Sequence, residues 1–552
     1  MSSAEGLNIA QILRDVAKKK PYNKAVVETC GQDWWGRRAY THLTFKELDE
    51  LSDRMAFGFE RYGITKGTRT VLMVTPGLDF AALTFGLFKV GAVIVMIDPG
   101  MGIKNLGKCL AEAEPEAFVG IPKAHLARII LRWSPNTIDK LVTVGTRWCW
   151  GGLTLQQIAD NPSEEYAIKA LSPDEMAAIL FTSGSTGVAK GAVYTHKIFT
   201  SQVAFLKETF DFGENDVDLA TFPLFALFDP VLGVTAVIPD MDASKPAKAS
   251  PQKLVRAIED HGCTQMFGSP ALIDNLSRYG EKHNKKLPTL RRVISAGAPA
   301  RPDVLERLQK MLPEDGQIHT PYGATESLPV ASIGSKEILE DTWKTTITGG
   351  GTCVGKPVEE VEVAIIKISD EPIEEWEDEL LVAQGEIGEI VVKGAVVTKA
   401  YFNRPQKTKL AKIKDKDGEV RHRMGDVGRF DKDGRLWFCG RKAHRVETAK
   451  GPMFTVPCEA VFNVHPKVFR TALVGAGNKG EQKPVICVEV EKLHQSCDLT
   501  TLHKELEAMA IEHEHTKDID TFVFHPSFPV DVRHNAKINR EQLTEWIKGK
   551  IQ

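Results

Sequence analysis

The stretch FTSGSTGVAKGAVYTH, from Phe181 to His196, combines glycines, hydroxyl side chains and a lysine. Free backbone N–H groups, hydroxyls and a mobile cation are the donors that phosphate oxygens accept. The stretch follows the apolar run MAAIL, and ligand sites of parallel sheets lie beyond the carboxyl ends of the strands. It therefore predicts a phosphate-binding loop, with a solvated Gly/Ser turn as the alternative. The candidate phosphate contacts are Thr182, Ser183, Gly184, Ser185, Thr186, Gly187 and Lys190.

The spacing within this stretch excludes two well-known phosphate motifs. The Walker pattern GxxxxGK[ST] needs a glycine directly before the lysine and a hydroxyl residue directly after it, whereas Ala189 and Gly191 flank Lys190. The pattern GxGxxG fails as well, because Gly184, Gly187 and Gly191 have the wrong spacing. The loop is therefore expected to wrap phosphates in another way.

Length, charge and cysteine usage narrow the class of protein. A chain of 552 residues is too long for one compact core, so at least two domains are expected. The net charge of -3 gives no electrostatic case for nucleic acid or for an anionic membrane surface. The nine cysteines include no CxxC pair and predict reduced, mostly buried thiols. With an N-terminus that predicts an amphipathic helix and not a signal peptide, a cytoplasmic location is expected.

One apolar segment is long enough to be mistaken for a membrane span. It reads FAALTFGLFKVGAVIVMI, from Phe80 to Ile97, but Lys89 and Gly91 interrupt it near the middle. Its second half is a β-branched run that ends at a turn. A buried helix followed by a buried strand is therefore predicted, with a transmembrane helix as the alternative.

The first 400 residues alternate helical patterns with short apolar runs, which predicts βαβ units and an α/β fold with parallel sheets. Pro- and Gly-rich pieces, PLFALFDPVLG and ITGGGTCVGKPV, predict loops at strand ends. Hairpin-like runs after about Val361 predict a β-rich subdomain over 361–440. We place an N-terminal domain at 1–440 and a small, mobile α+β domain at 441–552. The predicted strands include RTVLMV, AVIVMID, EAFVGI, KLVTVG, MAAILFTSG and RRVISAG.

Several motifs, in a fixed order, resemble those of the adenylate-forming superfamily of acyl-CoA synthetases, luciferases and peptide-synthetase adenylation domains. FTSGSTGVAKGAV resembles its phosphate loop, and the likeness spans nearly the whole chain. The other motifs are SAGAP at 295–299, YGATES at 322–327, MGDVGRFDKDGRLWFCGR at 424–441, PCE at 457–459, HPKVFRTALVG at 465–475 and NAKINR at 535–540.

The resemblance implies ATP and Mg²⁺ as cofactors, and a role for each matching residue. Glu326 supplies a hard oxygen to Mg²⁺, and Thr325 donates to the α-phosphate. Lys537 is the catalytic lysine that reaches the acid and the α-phosphate from the small domain. The implied adenine contacts are Ser295, Ala296, Gly297, Ala298, Tyr322, Gly323 and Ala324, and the implied ribose contacts are Asp426 and Arg441.

Each of these residues also has an ordinary structural explanation. Tyr322 can be a core aromatic, Glu326 a surface carboxylate and Asp426 the cap of a turn. Lys537 can be one lysine among many, because Ala536 stands where the superfamily usually has glycine.

The chain departs from the acyl-CoA synthetase pattern at three places. Ala226 stands where a histidine usually lines the acyl pocket, Ala443 occupies the hinge position that is typically Asp or Lys, and Pro452 is added in the segment that approaches CoA. With these departures the chain resembles most closely the β-lactone synthetases of bacterial long-chain olefin biosynthesis. The implied substrate is a 2-alkyl-3-hydroxyalkanoic acid, for which Phe225, Ala226, Phe228 and Gly268 are candidate pocket residues.

In this interpretation the carboxylate attacks ATP, and the substrate's own 3-hydroxyl then displaces AMP, so that no CoA is needed. His196, His422, His444 and His534 are candidates, by residue type alone, for the base of the second step. The resemblance also implies the pathway's β-lactone decarboxylase and ketone reductase as partners. The alternatives are a long-chain acyl-CoA or acyl-carrier ligase and a non-catalytic nucleotide or acyl-adenylate sensor.

Overall fold

The computed structural model describes residues 7–550 except 33, 36, 99–100, 163, 183–188, 495–496 and 531–536. Its strands are β1 Lys24–Gln32, β2 Arg38–Thr44, β3 Arg69–Met73, β4 Val93–Ile97, β5 Ala117–Gly120, β6 Lys140–Thr143, β7 Leu153–Thr154, β8 Met176–Thr182, β9 Lys190–Thr195, β10 Val217–Leu219, β11 Thr235–Ile238, β12 Gln265–Phe267, β13 Arg292–Ile294, β14 Gln317–Ala324, β15 Ser327–Gly334, β16 Thr352–Pro357, β17 Glu362–Ile366, β18 Gly388–Lys393, β19 Lys412–Lys414, β20 Val420–Phe430, β21 Leu436–Arg441, β22 Val446–Thr448, β23 Gly451–Met453, β24 Val468–Ala476, β25 Lys483–Val490 and β26 Phe522–Phe524.

The main helices are α1 Ile9–Lys19, α2 Phe45–Tyr62, α3 Leu78–Lys89, α4 Ile103–Ala113, α5 Pro122–Ile130, α6 Leu155–Ala159, α7 His196–Phe210, α8 Pro223–Leu232, α9 Pro251–His261, α10 Pro270–Lys282, α11 Pro302–Gln309, α12 Pro405–Ala411, α13 Thr455–Asn463, α14 Leu499–Ile511 and α15 Arg540–Ile547. Short helical turns occupy 335–350. The sequence sets the ends of these helices locally. At α2, Thr44 and Glu47 form a capping box, and Gly63 ends the helix with a φ of 85°.

Two large sheets organise the part of the chain that the structure describes. The seven-stranded sheet has the order β7-β6-β5-β3-β4-β8-β9 and is parallel except for the β8–β9 hairpin. The second sheet is parallel from β1 through β11, β10, β12 and β13 to β14, and becomes antiparallel from β15 to β17. The predicted α/β fold class with parallel sheets is confirmed.

Helices α2, α3, α7 and α8 contribute to one apolar core that also contains residues of both large sheets. Helices α9, α10 and α11 cover the outer face of the second sheet, and α4 packs on the outer face of the first. The antiparallel strands β17 to β21 join the second sheet through β16. After β21, the strands β24, β25 and β26 form a separate small sheet with its own core against α13 and α14.

The apolar segment from Phe80 to Ile97 is a helix followed by a strand, as predicted. Helix α3 ends at Lys89 and β4 begins at Val93. Among the residues that the structure describes, no helix has the length and apolarity needed to cross a membrane. The break falls at Gly91, whose φ of 73° turns the chain out of the helix.

The predicted loop over PLFALFDPVLG is wrong, because this stretch forms α8. Pro223 occupies the first turn, where a missing N–H costs nothing, and Pro230 lies only two residues from the helix end. Gly233 then ends the helix in the left-handed conformation. The predicted loop over ITGGGTCVGKPV is also wrong in part, because it contains strand β16.

The lysine inside the apolar segment is fully buried and joins three helices. Lys89 Nζ lies 2.7 Å from Asp53 Oδ1 and 2.8 Å from the Asp49 carbonyl oxygen. Arg14 of α1 forms ion pairs with the same two aspartates. Burial lowers the pKa of Lys89, and Asp49 and Asp53 oppose that shift. The network therefore keeps buried charges compensated where α1, α2 and α3 meet.

We expect Lys89→Met to lower the free energy of unfolding by about 3 kcal/mol, the lower end for breaking a buried pair, because Arg14 still compensates the aspartates. Chemical denaturation would measure the loss. The matched control is Lys66→Met, which removes an exposed ion pair with Glu175. Equal stability of Lys89→Met and Lys66→Met would contradict this account.

The thiols divide into two classes by exposure. Among the cysteines, Cys30 and Cys149 are exposed and Cys497 is half-buried, while the other six are buried. Burial raises the pKa of Cys109 and of Cys353 to about 11, which keeps these thiols protonated and unreactive. The expectation of reduced, mostly buried thiols agrees with this arrangement.

Candidate active site

A cavity of about 2800 Å³ is bordered by both large sheets and by the small C-terminal domain. Its walls include the carboxyl ends of β8, β12 and β13, where ligand sites of parallel sheets are found. Several predicted site residues from distant parts of the sequence border this one cavity. They are Lys190, Ser295, Ala296, Gly297, Ala298, Tyr322, Gly323, Ala324, Thr325, Glu326, Asp426, Arg441 and Lys537.

The predicted adenine contacts lie at the end of β13 and along β14. The segment 295–298 leaves β13 directly, and Gly297 has a φ of 102°, which only glycine adopts readily. Ser295 is buried, and its Oγ has no hydrogen-bond partner among the residues that the structure describes. At Gly323 an added Cβ would lie 2.8 Å from the Leu328 side chain and from the Ser327 carbonyl oxygen, so a larger residue does not fit there.

Tyr322 and Asp426 are held together across the cavity. The Tyr322 hydroxyl donates to Asp426 Oδ2 at 2.6 Å, and Arg441 Nη1 lies 2.8 Å from Asp426 Oδ1. Asp426 of β20 and Arg441 of β21 are directly opposite each other in the strand register. Burial raises the pKa of Asp426, and Arg441 and the Tyr322 hydroxyl oppose that shift. This pair of strands therefore presents a carboxylate at the site predicted to hold ribose hydroxyls.

We expect Asp426→Asn to raise the KM for ATP by about 10- to 100-fold, because hydrogen bonds from ribose to a charged group contribute about 1.5–3 kcal/mol. ATP–pyrophosphate exchange measures this effect, and thermal unfolding checks that the variant folds. Unchanged ATP kinetics in a folded variant would remove Asp426 from the site.

Glu326 lies in the tight turn between β14 and β15 and is buried. The Tyr401 hydroxyl donates to Glu326 Oε1 at 2.7 Å, and the Glu326 carbonyl oxygen accepts from the Thr398 backbone N–H at 2.9 Å. The Tyr194 hydroxyl donates to the Thr325 carbonyl oxygen. The turn is thus fixed from several sides, which pre-organises its carboxylate.

Two lysines surround this carboxylate. Lys190 Nζ lies 4.6 Å from the centre of the Tyr401 ring, and Lys412 Nζ donates to the Thr398 carbonyl oxygen. Burial lowers the pKa of Lys190, while Glu326 opposes the shift. Burial also lowers the pKa of Lys412 to about 7, again against Glu326. Glu326 is therefore the negative centre of a cationic environment suited to phosphate oxygens.

The sequence-based site omitted Tyr401 and Lys412. Lys412 is one of several lysines in the run KTKLAKIKDK, so its residue type alone did not identify it as a site residue. The alternation of charged and apolar residues in KIK indicates a short strand with its lysines exposed, whereas Lys412 is buried and only Lys414 of the two lysines is exposed. Tyr401 had no comparable signal, since it reaches Glu326 only through the fold.

The phosphate loop itself lies outside the described residues from Ser183 through Gly187, so its predicted contacts stay predictions. Thr182 ends β8, and its backbone pairs with Lys190 at the start of β9. The hairpin therefore fixes both ends of the loop at the cavity.

Two of the predicted substrate-pocket residues, Phe228 and Gly268, do not border the cavity. Phe225 and Ala226 belong to α8. Phe228 packs against the core with its ring centre 6.0 Å from that of Phe199, and it does not border the cavity. Gly268 is buried in the wall, where an added Cβ would lie 2.7 Å from Ile273 Cγ2, while its neighbours Phe267 and Ser269 border the cavity. The prediction that Phe228 and Gly268 contact substrate directly finds no support in this geometry.

Lys537 is exposed at the cavity and reaches it from the small domain. It precedes Ile538, which pairs with Val530. Its positive charge opposes the rise that burial causes in the pKa of Asp426. The assignment of Lys537 as the catalytic lysine stays a prediction.

The residues around the predicted hinge at Ala443 are anchored to one loop of the large domain. Lys442 Nζ donates to the Ser369 carbonyl oxygen at 2.6 Å and lies 3.0 Å from Glu389 Oε1. Arg445 Nη2 donates to Asp370 Oδ2 at 2.7 Å, and this hydrogen bond lowers the pKa of Asp370. Ala443 therefore lies between two cationic side chains, those of Lys442 and Arg445, that are both held by hydrogen bonds or ion pairs.

We expect Asp370→Ala to slow adenylation and lactone closure together by about 2- to 10-fold, because partly exposed ion pairs each contribute about 0.2–1 kcal/mol to holding this pose. Asp370 also pairs with Lys479 of the small domain at 2.6 Å. The matched control is Asp520→Ala, which removes the Lys483 pair inside the small domain. If lactone formation from pre-made adenylate became faster instead, lactone formation would need a second orientation of the small domain.

The histidines differ in their access to the cavity. His196 is fully buried, and its Nδ1 accepts from the Ile9 backbone N–H at 3.3 Å. Burial lowers the pKa of His444 to about 3, and the residue does not border the cavity. His534 lies outside the described residues. His422 does border the cavity, and its Nδ1 lies 3.1 Å from the Ala411 carbonyl oxygen.

A carbonyl oxygen only accepts, so this contact requires that His422 Nδ1 carries the proton. The other ring nitrogen, Nε2, is then an acceptor. Burial lowers the pKa of His422 well below its usual value, and the nearby Lys412 adds to the shift. His422 is therefore a neutral imidazole at neutral pH.

The donor set suits Mg²⁺ held jointly with phosphates and not in a protein cage. Among the described residues, no group of three or more His, Cys, Asp or Glu side chains is close enough to hold a metal. A single carboxylate such as Glu326, together with nucleotide oxygens, is the way Mg²⁺ is usually held in phosphoryl sites. Glu326 therefore fits a Mg²⁺–ATP complex.

Two curated relatives match this chain over nearly its full length. The chain is 50% identical over 545 residues to an olefin beta-lactone synthetase of Xanthomonas campestris, covering 98% of this chain and 97% of the relative. It is 49% identical over 553 residues to an olefin beta-lactone synthetase of Stenotrophomonas maltophilia, covering 99% of both.

Solved structures share the fold. The amide bond synthetase McbA from Marinactinospora thermotolerans matches 98% of this chain and 99% of its own with a TM-score of 0.79 at 20% identity. The family description "AMP-binding enzyme" matches residues 13–402. The chain therefore belongs to the AMP-binding enzyme family and, within it, to the family of the olefin beta-lactone synthetases.

Proposed function

We propose that this protein is an ATP-dependent β-lactone synthetase of long-chain olefin biosynthesis. It converts a 2-alkyl-3-hydroxyalkanoic acid, through an acyl-adenylate, to a β-lactone, AMP and pyrophosphate. The observation that carries the proposal is one cavity bordered by Lys190, Glu326, Asp426, Arg441 and Lys537, in a chain that matches olefin beta-lactone synthetases over nearly its full length.

In the first step the substrate carboxylate attacks the α-phosphorus of ATP and pyrophosphate leaves. Asp426 and Arg441 position the ribose, while Tyr322 borders the adenine. Lys190 and Lys537 stabilise negative charge on the phosphates from opposite domains. Thr325 donates to the α-phosphate. Glu326 would hold Mg²⁺, which would supply positive charge to the phosphates.

In the second step the 3-hydroxyl oxygen attacks the acyl carbon, the bond to AMP breaks, and the hydroxyl loses its proton. The nucleophile is already tethered to the acyl group, so no second substrate has to bind. We propose His422 Nε2 as the acceptor of that proton. The proposal is supported by its place at the cavity, by the Nδ1 contact that fixes its tautomer, and by its neutral state.

Mg²⁺, the pathway partners and the location belong to the same proposal. A β-lactone decarboxylase would consume the product and a ketone reductase would supply the hydroxy acid, both in the cytoplasm. They follow from the resemblance of the sequence to the β-lactone synthetases of olefin biosynthesis. Co-purification of the tagged full-length chain with these two enzymes would test the assembly.

The deciding experiment supplies the enzyme with ATP, Mg²⁺ and a 2-alkyl-3-hydroxy acid, without any thiol. We expect AMP, pyrophosphate and a neutral β-lactone. The matched control is the same acid without its 3-hydroxyl, which is expected to stall as one bound acyl-adenylate or to hydrolyse slowly. CoA should change neither outcome.

Two results would overturn the proposal in different directions. A CoA or carrier thioester formed from the deoxy acid, at a rate rivalling the hydroxy acid, would make the protein an acyl-CoA or acyl-carrier ligase. Nucleotide binding without pyrophosphate release from any acid would make it a non-catalytic sensor.

A further inference from the structure

Helix α5 and the loop after β6 expose a continuous group of apolar side chains, here called the α5 surface. It comprises Leu126, Ile129, Ile130, Leu131 and Trp148, which are 39%, 47%, 67%, 41% and 55% exposed. Large apolar residues are common singly on protein surfaces, but a group of this kind marks an interaction site. We propose that the α5 surface docks this protein on an anionic lipid bilayer.

Aromatic stacking joins the helix and the loop into one surface. The Trp150 ring lies parallel to that of His125 on α5, with their centres 5.2 Å apart. Trp148 lies against Trp150 at 5.4 Å, and the Trp150 indole N–H donates to Thr143 Oγ1 at 2.9 Å. Trp148 is therefore held outward beside α5 by packing, and its exposure is a fixed feature of this fold.

The charges on α5 and on the loop after β6 are cationic, and the exposed Asp139 between these two segments pairs with Lys140. Segments 117–138 and 140–159 contain no aspartate or glutamate. Lys123, Arg132 and Arg147 are exposed there, and Arg128 is half-buried over the Phe118 ring at 5.9 Å. The chain as a whole has a net charge of -3, so this local excess of cations is a departure from its surroundings.

The combination of apolar and cationic side chains indicates which partner binds to the α5 surface. Lys and Arg near a bilayer attract anionic headgroups, while Trp, Leu and Ile enter the boundary of the acyl chains. A second copy of this chain is a poor occupant, because a twofold contact would place the same cations against each other. An anionic bilayer satisfies both the charges and the apolar side chains.

The inner side of α5 lies at the large cavity, so docking through the outer side would bring the cavity close to the bilayer. Ala124 and Ala127 of α5, with Trp133 after it, border the large cavity. Docking through the outer side would therefore place a wall of the cavity against the bilayer. A long-chain acid, which is the substrate class under the proposed function, partitions into such a bilayer, so docking would bring enzyme and substrate to one place.

The test is sedimentation of the full-length protein with vesicles, which measures binding without relying on activity. We expect binding to phosphatidylcholine vesicles that contain phosphatidylglycerol, weaker binding in high salt, and little binding to pure phosphatidylcholine. Ile129→Ser with Ile130→Ser should lower the affinity at least about 10-fold, as should Arg132→Glu with Arg147→Glu. Thermal unfolding checks that each variant folds.

The chain offers matched controls elsewhere on its surface. Ile511→Ser removes a residue that is 72% exposed on the small domain, and Trp34→Ser removes one that is 86% exposed on the loop after β1. Both should bind vesicles as the unchanged protein does. Equal binding by the α5 variants, or loss of binding in Trp34→Ser, would overturn the assignment.

Two further results would also overturn the proposal. One is the absence of binding to anionic vesicles by the unchanged protein. The other is a protein that is dimeric without lipid and becomes monomeric in the Ile129 and Ile130 variant, because the α5 surface would then be a contact between copies. A failed lactone assay has no bearing on these readouts, so the two proposals can fail separately.

Discussion

Replacing Lys537 by alanine is expected to slow adenylation by about 10²–10³, the effect of removing one pre-placed group that stabilises developing charge. Lys537 borders the same cavity as Asp426 and opposes the rise in the pKa of that carboxyl group, which supports the proposal that it contacts the α-phosphate. The carboxylate that attacks and the phosphate it attacks are both anionic. A cation between them lowers the barrier because it offsets their repulsion as the bond forms.

Separate assays of the two steps make this prediction sharper. ATP–pyrophosphate exchange reports the first step, and lactone release from pre-made acyl-adenylate reports the second. The second step should fall less, because the carboxylate has lost its charge in the acyl–phosphate anhydride and the attacking hydroxyl is neutral, so that no repulsion between two anions remains. The matched control is Lys548→Ala, which removes an exposed lysine paired with Glu545 on the same domain.

Other results of the Lys537→Ala assays would lead to different conclusions about this residue. An equal fall in both steps would show that Lys537 serves the whole cycle or holds the small domain in place. No fall in either step would mean that the match of NAKINR to the superfamily motif is wrong.

His422→Gln is expected to slow lactone closure from pre-made adenylate by about 10², the lower end for a general base, while leaving ATP–pyrophosphate exchange within a few-fold. Glutamine keeps a donor and an acceptor but cannot take a proton. The buried His422 has a pKa well below its usual value, so its imidazole stays neutral as the pH falls from 8 to 6. The closing step of the unchanged enzyme should therefore keep its rate over that range.

The control for His422 is His444→Gln, because His444 is equally available by residue type but does not border the cavity. An equal loss in both variants, or a loss of pyrophosphate exchange in His422→Gln, would argue against His422 as the base. The second result would instead place His422 with Lys190 and Lys412 in the phosphate environment.

The fold and the nucleotide side of the site were largely predictable because they depend on local pattern. The β8 strand is a short apolar run that is followed by serines and glycines, and this sequence alone indicates a strand leading to a loop. Asp426 and Arg441 stand fifteen positions apart in the motif, and a hairpin of that length brings them opposite each other. Motif and geometry therefore coincide at this place.

The remaining parts depend on tertiary contacts that no local pattern contains. Lys412 is distinguished from its neighbouring lysines only by the position of β19 against β20, which buries it beside Glu326. Phe228 resembles a pocket residue in sequence, but the rotation of α8 places it against Phe199. The prolines of α8 were misleading because their positions near its two ends are compatible with a helix.

Because only some of the cysteines are exposed, labelling of these thiols in the unmodified protein can report which part of its surface is covered. Cys149 follows Trp148 directly on the α5 surface, whereas Cys30 lies on β1. A thiol-reactive dye should modify these two fully exposed cysteines first. Vesicles that cover the α5 surface should then shield Cys149 and leave Cys30 reactive as an internal reference, so labelling rates on unmodified protein would map the covered area without any substitution.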